Sequence, residues 1–227
     1  MPMYELIPTE AVTEVEATSF VGGHPHLPST LALPTCAKCE EPLTFFYQVA
    51  FPEGHPWAPR SLAVFACTST WHPDDLIPPL LPQRRDVVVP EGFLNSYQTT
   101  FRLLVFPTRT AVLREDYVPR VQFMAWRLDQ ARSVAVTKSK VGGEPTWCMG
   151  RENPASYAGR PLVFLMQLAG HFAFERLPGA LPMARDPQFA RLLPPSPRYD
   201  LFVGNVVYLW GTNDEGPEAV YALVQRP

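Results

Sequence analysis

Two stretches of this chain share one pattern, SFVGGHP at residues 19–25 and SKVGGEP at residues 139–145. Each is followed by an apolar run that also repeats, PLTFFYQV at 42–49 and PLVFLMQL at 161–168. The copies lie 120 residues apart for the first motif and 119 for the second. Two motifs in the same order at nearly the same offset predict an internal duplication.

The apolar runs alternate with a period of two, which is typical of β-strands. In the first run this predicts Phe45, Tyr47 and Val49 on one face, with Phe46 and Gln48 on the other. Apolar residues on both faces predict central, buried strands. Helix signals are few, with one short helix predicted at 186–193 before a Pro-Pro pair. Further strands are predicted at 61–67, 101–107, 111–114 and 121–126, with a terminal hairpin formed by 205–210 and 219–225.

These patterns predict a mainly β fold (β-rich α+β) in which two pseudo-repeat β units pack together with few short helices. We assign residues 1–18 to an N-terminal segment, 19–135 to the first repeat and 136–227 to the second. A Pro-rich stretch at 73–90 is predicted to be a long loop within the first repeat. The whole is expected to form one compact bilobal unit.

Composition narrows the classes of partner. The chain has 227 residues, 18% of them charged, and a net charge of −3. This charge is unlike the basic excess of nucleic-acid binders. The beginning of the chain lacks a basic region followed by an apolar stretch, and the apolar run at 162–174 is too short to span a bilayer. We therefore expect a cytoplasmic protein with no membrane partner.

The cysteines predict a metal site. Cys36, Cys39, Cys67 and His72 read as C-x₂-C-x₂₇-C-x₄-H. Zinc favours four sulfur or nitrogen ligands in two short-spaced pairs, and two adjacent antiparallel strands would bring these pairs together. Four protein ligands predict a structural zinc that clamps loops. One alternative is a redox pair at Cys36 and Cys39.

The fourth ligand is the weakest member of the pattern. Its spacing from Cys67 favours His72. His55, His24 and His26 are the other candidates for that position.

The repeated motifs offer candidate binding residues as well. Gln48 and Gln167 either tie a neighbouring loop to the sheet or face a groove and bind a ligand. The glycine pairs predict tight turns, and their alternative is a binding role; the four glycines are Gly22, Gly23, Gly142 and Gly143. No glycine-rich phosphate motif leads into a helix, so nucleotide binding is not expected.

Together these motifs resemble the programmed cell death protein 2 family and its broader superfamily of bacterial YwqG-like proteins. The similarity is strongest from Phe20 to His72 and extends over both copies. It implies zinc-type ligands at Cys36, Cys39 and Cys67; relatives often carry a cysteine where His72 stands. It also implies a non-enzymatic role, because eukaryotic members are chaperones of a ribosomal protein.

We therefore expect a non-enzymatic module that binds a protein client, either an extended peptide or a basic protein. The alternative is an RNA-associated factor for ribosome biogenesis that stacks bases on Trp57, Trp71 or Trp147. An enzyme would need a nucleophile and base, for which Cys148 and His171 are the available pair. Cys148 is otherwise expected to be a core thiol.

Overall fold

The architecture was analysed in a computed structural model of the chain. It describes residues 1–72, 85–169, 173–186, 188, 194–201, 205–213 and 220–225. The predicted helix at 186–193 and the Pro-rich loop at 73–90 fall largely outside these residues. Among the described residues, no helix is long and apolar enough to cross a membrane.

Strands dominate the described chain, as the alternating patterns and the prolines predict. One short helix, α1, spans Phe93–Ser96, and a 3₁₀ turn spans Thr108–Thr110. In chain order the strands are β1 (Met3–Thr9), β2 (Phe20–Val21), β3 (His26–Pro28), β4 (Thr44–Ala50), β5 (Arg60–Ala66), β6 (Val87–Val89), β7 (Phe101–Pro107), β8 (Ala111–Leu113), β9 (Met124–Gln130), β10 (Lys140–Gly142), β11 (Pro154–Tyr157), β12 (Arg160–Pro161), β13 (Val163–Leu168), β14 (Phe174–Glu175), β15 (Arg198–Tyr199), β16 (Val206–Gly211) and β17 (Val220–Gln225).

One ten-stranded sheet organises the described residues, in the order β17-β16-β13-β10-β1-β9-β2-β4-β5-β7. The antiparallel pair β1–β9 lies at its centre. β1 also pairs with β10, and β9 also pairs with β2. The sheet therefore continues through both predicted repeats, and β1, from residues 1–18, joins it next to a strand of the second repeat.

The sheet is nearly closed, because Tyr97 links its two outer strands. The Tyr97 ring lies 5.1 Å from Phe101 of β7. Its hydroxyl donates to the carbonyl of Val220 at 3.0 Å and accepts from the N–H of Ala222 at 3.1 Å, both on β17. A buried tyrosine thus satisfies backbone groups that an outer strand would otherwise leave unpaired.

The two repeated motifs make matching contacts. In β2–β4, Phe20 pairs with Gln48; in β10–β13, Lys140 pairs with Gln167. The two pairings join equivalent positions, because Lys140 lies 120 residues after Phe20 and Gln167 lies 119 residues after Gln48. Both apolar runs also carry a bulge at the same place, after Phe45 and after Phe164.

The serine of each motif also makes matching contacts. The Ser19 carbonyl accepts from Trp126 at 2.8 Å, and the Ser139 carbonyl accepts from Leu6 at 3.0 Å. The Ser19 hydroxyl accepts from Ala50 N–H at 3.0 Å, and the Ser139 hydroxyl accepts from Ala169 N–H at 3.0 Å. These contacts are what a duplication would produce, and its evolutionary origin stays a prediction.

The central, buried position of β4 and β13 is confirmed, but the strict alternation predicted for β4 is wrong. The bulge makes Phe46 an extra residue opposite β5. Phe46 and Tyr47, expected on opposite faces, both contact the ring of Phe174, at 4.9 and 6.4 Å. A bulge bends its strand and interrupts the two-residue period, so Phe45 packs into a different apolar cluster from Tyr47.

Candidate metal centre

The first two cysteines lie on a tight turn just before β4. An isolated bridge between Thr35 and Pro42 closes its base. Within the turn, the Cys36 N–H donates to the Glu41 carbonyl at 2.9 Å, and the Glu40 N–H donates to the Cys36 carbonyl at 2.8 Å. Glu40 has a φ of +62°, a left-handed conformation that reverses the chain. The turn therefore holds Cys36 and Cys39 on one loop.

Cys67 reaches this turn because β4 and β5 are antiparallel neighbours. Thr44, at the start of β4, pairs with Ala66, at the end of β5. The Cys67 N–H donates to the Thr100 carbonyl at 2.8 Å, just as the Ala37 N–H donates to the Thr99 carbonyl at 2.8 Å. The β4–β5 pair therefore brings the two halves of the cluster together, as predicted. The loop before β7 also holds both halves through these hydrogen bonds.

The four predicted ligands converge. The ligand atoms of Cys36, Cys39, Cys67 and His72 all lie within 4.8 Å of one another. Cys36 Sγ is 3.5 Å from His72 Nε2, and Cys39 Sγ is 3.7 Å from Cys67 Sγ. Cys36 and Cys67 are buried, whereas Cys39 and His72 are half-buried. This arrangement of three sulfurs and one imidazole could bind a metal ion.

The other histidines considered for this position have different contacts. His55 contacts the Leu165 carbonyl through Nε2 at 3.3 Å. His24 contacts the Glu14 carboxylate through Nδ1 at 3.0 Å. His26 packs its ring 4.9 Å from that of Phe20. Of the four histidines weighed as the last ligand, His72 is the one that joins the cysteines.

The surroundings of Cys67 and Cys39 shift the pKa of the two thiols in opposite directions. Burial raises the pKa of Cys67 to about 12, so its sulfur resists ionisation without a cation nearby. Burial also opposes ionisation of Cys39, but hydrogen bonds with Thr70 and with the Glu41 backbone outweigh it and lower the pKa of that thiol. A bound cation would favour the thiolate at both positions.

A basic residue that sequence reasoning missed lies beside the cluster. Arg102, on β7, pairs with Phe65 and is half-buried. Burial lowers the pKa of its guanidinium, and the charge of Cys36 acts in the opposite direction. Three thiolates with a divalent ion and a neutral imidazole carry one net negative charge, which Arg102 is placed to offset. Its distance from the cysteines along the chain left no local signal.

The repeated glutamines are buried and bind loops. Gln48 Oε1 accepts from His26 N–H at 3.2 Å, and Gln167 Oε1 accepts from Thr146 N–H at 3.0 Å. Each glutamine thus holds the loop that follows its own Gly-Gly turn, as the loop-tying interpretation predicts. A ligand-binding role for them stays a prediction.

The glycine pairs form turns of the predicted kind. All four glycines have positive φ: Gly22 +59°, Gly23 +67°, Gly142 +72° and Gly143 +70°. A Cβ on Gly22 would lie 2.4 Å from the Gln122 carbonyl oxygen. A Cβ on Gly142 would likewise meet the Pro2 carbonyl, whereas a Cβ on Gly23 or Gly143 would meet the side chain of Glu14 or Met3. Packing within the protein therefore explains the glycines without a ligand.

Two grooves of similar size lie at opposite ends of the β1–β9 pair. The first, here called the acidic groove, has a cavity volume of about 770 Å³. Val12, Phe123 and Met124 form apolar walls, and the lining carboxylates are Glu10 and Glu175.

The second, here called the basic groove, has a cavity volume of about 760 Å³. Arg132, Lys140 and Trp147 line it. Gln130 and Pro2 line it at the positions equivalent to Glu10 and Gln122 of the acidic groove, 120 residues away in each case. The grooves are therefore pseudo-equivalent in position and opposite in charge.

The tryptophans predicted to stack on RNA have different exposures. Trp57 is fully buried, so it cannot present its ring to a base. Trp71 is 40% exposed, and Trp147 is half-buried. Cys148 is half-buried with its sulfur 3.4 Å from Gln225 Oε1. His171, its suggested partner, lies outside the described residues.

No family model, curated protein or solved structure matches this chain. The resemblance to the programmed cell death protein 2 family therefore stays a prediction that depends on the quoted motifs.

Proposed function

We propose that this protein is a non-enzymatic, zinc-stabilised module that binds an extended basic segment of a client protein in its acidic groove. The acidic groove is the observation that carries the proposal. A zinc ion at the metal centre would support it by clamping the turn before β4, the strand that pairs with β2 at the groove wall.

Two distances within the cluster match those of a tetrahedral zinc site. Tetrahedral zinc with Zn–S bonds of about 2.3 Å and Zn–N bonds of about 2.0 Å separates two sulfurs by about 3.8 Å, and a sulfur from a nitrogen by about 3.5 Å. The cluster has 3.7 Å between Cys39 and Cys67 and 3.5 Å between Cys36 and His72. Its four protein ligands fill a tetrahedron, so the proposed zinc is structural.

The zinc assignment predicts about one equivalent of zinc per chain by elemental analysis of the purified protein. Cys67→Ser should lose that metal, because a hydroxyl is a poor zinc ligand. Cys148→Ser is the matched control, since Cys148 lies outside the cluster, and it should keep the full content. Parent protein without zinc, or Cys67→Ser with the parental content, would contradict the assignment.

Charge complementarity favours a basic client. Glu10 and Glu175 both line the acidic groove, and both are exposed. Arg198 Nε–H donates to Glu175 Oε1 at 2.6 Å and compensates part of that charge, so Glu10 is the principal acid offered to a basic client. Val12, Phe123 and Met124 line the same groove and offer apolar contact. An extended segment with alternating basic and apolar residues matches this pattern.

The remaining features are consistent with a binding protein of a reducing compartment. The four cysteines are free thiols, which suits the proposed cytoplasmic location. The motif similarity supports a chaperone-like role, in which the client would be a ribosomal or other basic protein.

A synthetic peptide of alternating Lys and Leu residues tests the groove, with a Glu-for-Lys peptide as its charge-reversed partner. We expect the full chain to bind the Lys peptide, measured by fluorescence anisotropy, and the affinity to fall as salt rises. Glu10→Lys should weaken binding about threefold or more, because it reverses a charge at the groove. Glu115→Lys alters an exposed acid outside the groove and should leave affinity unchanged.

Equal binding of both peptides would contradict the proposal. So would an equal effect of the two substitutions, because only Glu10 lines the groove.

A further inference from the structure

Lys140 is an unusual component of the basic groove. Its side chain is among the largest that are fully buried, with 2% exposure. Nζ donates to the Glu144 carbonyl at 2.6 Å and to Thr146 Oγ1 at 2.6 Å. Both acceptors belong to residues that line the same groove. The ammonium group is therefore held against the groove wall.

The charge of this lysine is incompletely compensated. An ammonium has three donors, and the described residues provide Nζ with two neutral acceptors and no carboxylate ion pair. Burial lowers the pKa of Lys140, and the more distant Glu144 carboxylate acts in the opposite direction. A buried cation is costly unless an anion or further hydrogen bonds compensate it. One Nζ donor thus remains for a ligand.

The rest of the groove adds a second cation and an apolar wall. Arg132 is exposed along it, and the charged side chains among its lining residues are Arg132, Lys140 and Glu144; Met1 also lines it. The Trp147 ring lies 4.7 Å from Tyr208 and is stacked 6.2 Å from Trp210, which fixes its orientation. The groove thus combines positive charge with a rigid aromatic surface.

We propose that the basic groove binds an oxyanion, a carboxylate or a phosphate, carried on an apolar or aromatic body. The oxyanion accepts from Lys140 Nζ and Arg132, and the body packs against Trp147. The equivalent position in the first copy is Phe20, so the cation is particular to the second copy. This site is independent of the acidic groove and of the peptide proposed to bind there.

Three small probes test the site on the full chain: phenyl phosphate, phenylacetate and neutral benzyl alcohol. Binding is followed by ligand-observed NMR and by isothermal calorimetry. We expect at least one of the two anions to bind, and benzyl alcohol to bind about tenfold more weakly or not at all. The anion that binds more tightly identifies the oxyanion.

Substitutions then locate the site. Lys140→Met should weaken anion binding about tenfold or more, because it removes a charged donor. Lys138→Met is the matched control, since Lys138 is exposed and pairs with Glu5 at 2.6 Å outside the groove. Arg132→Gln changes an exposed residue, and should weaken binding about threefold without affecting folding. Arg132→Gln therefore still tests the site if Lys140→Met does not fold.

The proposal is overturned if neither anion binds, if benzyl alcohol binds as tightly as the anions, or if both Lys140→Met and Arg132→Gln bind like the parent. An equal loss in Lys138→Met would also overturn it, because that loss would reflect overall charge and not the groove.

Discussion

Substituting Gly142 by alanine tests how closely β10 approaches the chain at the start of β1. Gly142 has a φ of +72°, and an added Cβ would lie 2.4 Å from the Pro2 carbonyl oxygen. Ordinary contact begins at 3.4 Å, so β10 and β1 would have to separate by 3.4 − 2.4 = 1.0 Å. The strain therefore falls on the junction between the N-terminal segment and the second predicted repeat.

The expected destabilisation has two parts. A left-handed conformation costs alanine about 1–2 kcal/mol. Overpacking against backbone that cannot rotate away adds about 1–3 kcal/mol. We therefore expect the free energy of unfolding to fall by about 2–5 kcal/mol, and Tm by roughly 5–20 °C for a chain of this size.

A series of Gly→Ala variants separates the two parts. At Gly159, φ is +76° but no atom lies within 4 Å of the added Cβ, so only the conformational part applies. At Gly150 neither condition holds, and alanine should be neutral or slightly stabilising. Gly22 repeats the situation of Gly142, with its Cβ 2.4 Å from Gln122 oxygen, so Gly22→Ala should lose a similar amount.

Urea unfolding followed by tryptophan fluorescence measures the series. We expect the highest urea midpoint for Gly150→Ala and a lower one for Gly159→Ala. Gly22→Ala and Gly142→Ala should have the lowest midpoints. A Gly142→Ala midpoint equal to that of Gly159→Ala would refute the close approach of β10 to β1. Parental stability in Gly22→Ala and Gly142→Ala together with lost ligand binding would instead favour the binding interpretation of these glycines.

Two further predictions concern pH and a turn. His55 Nδ1 accepts from Trp57 N–H at 3.1 Å, and burial lowers the pKa of His55 from 6.5 to about 4. As the pH falls, His55 therefore becomes protonated in the unfolded state before it does in the folded state. This histidine leaves the free energy of unfolding unchanged above about pH 6.5 and lowers it by about 3 kcal/mol as the pH drops to about 4. Urea midpoints across this range check it, and His55→Gln, which cannot titrate, should reduce the slope. Burial also lowers the pKa of His26, whose share of the slope would remain; an unchanged slope contradicts the assignment. Ala158 and Gly159 connect β11 to β12 with φ of +47° and +76°, the signs of a type I′ turn. Ala158→Asn should therefore stabilise the fold by about 0.5–1 kcal/mol and Ala158→Val should destabilise it; equal thermal melts for the two variants would show that backbone conformation does not limit this turn.

Local patterns in the sequence predicted much of the metal site. Cys36 and Cys39 are close in sequence, and Cys67 ends a strand whose antiparallel neighbour follows Cys39. Predicting that the three cysteines lie together therefore required only the inference that β4 pairs with β5. Arg102 could not be found in this way, because it reaches the cluster from β7 through a different pairing.

The bulge at Phe46 shows where local reasoning fails. An alternating run looks the same with or without an extra residue, since the partner strand decides which positions pair. The burial of Lys140 is a similar case, because its charge alone predicts an exposed side chain. Its acceptors, Glu144 and Thr146, are local, but the walls that bury it come from elsewhere in the chain.

Short segments were enough to predict the β class, the sharp bends at the Gly-Gly pairs and the three cysteines of the cluster, because periodicity, glycine conformation and ligand spacing are local properties. Tertiary structure decided that β1 pairs with β10 and β9 with β2, and it placed an acidic and a basic groove at opposite ends of the central pair. Those outcomes depend on which strand buries against which, a choice made by contacts between residues more than one hundred positions apart.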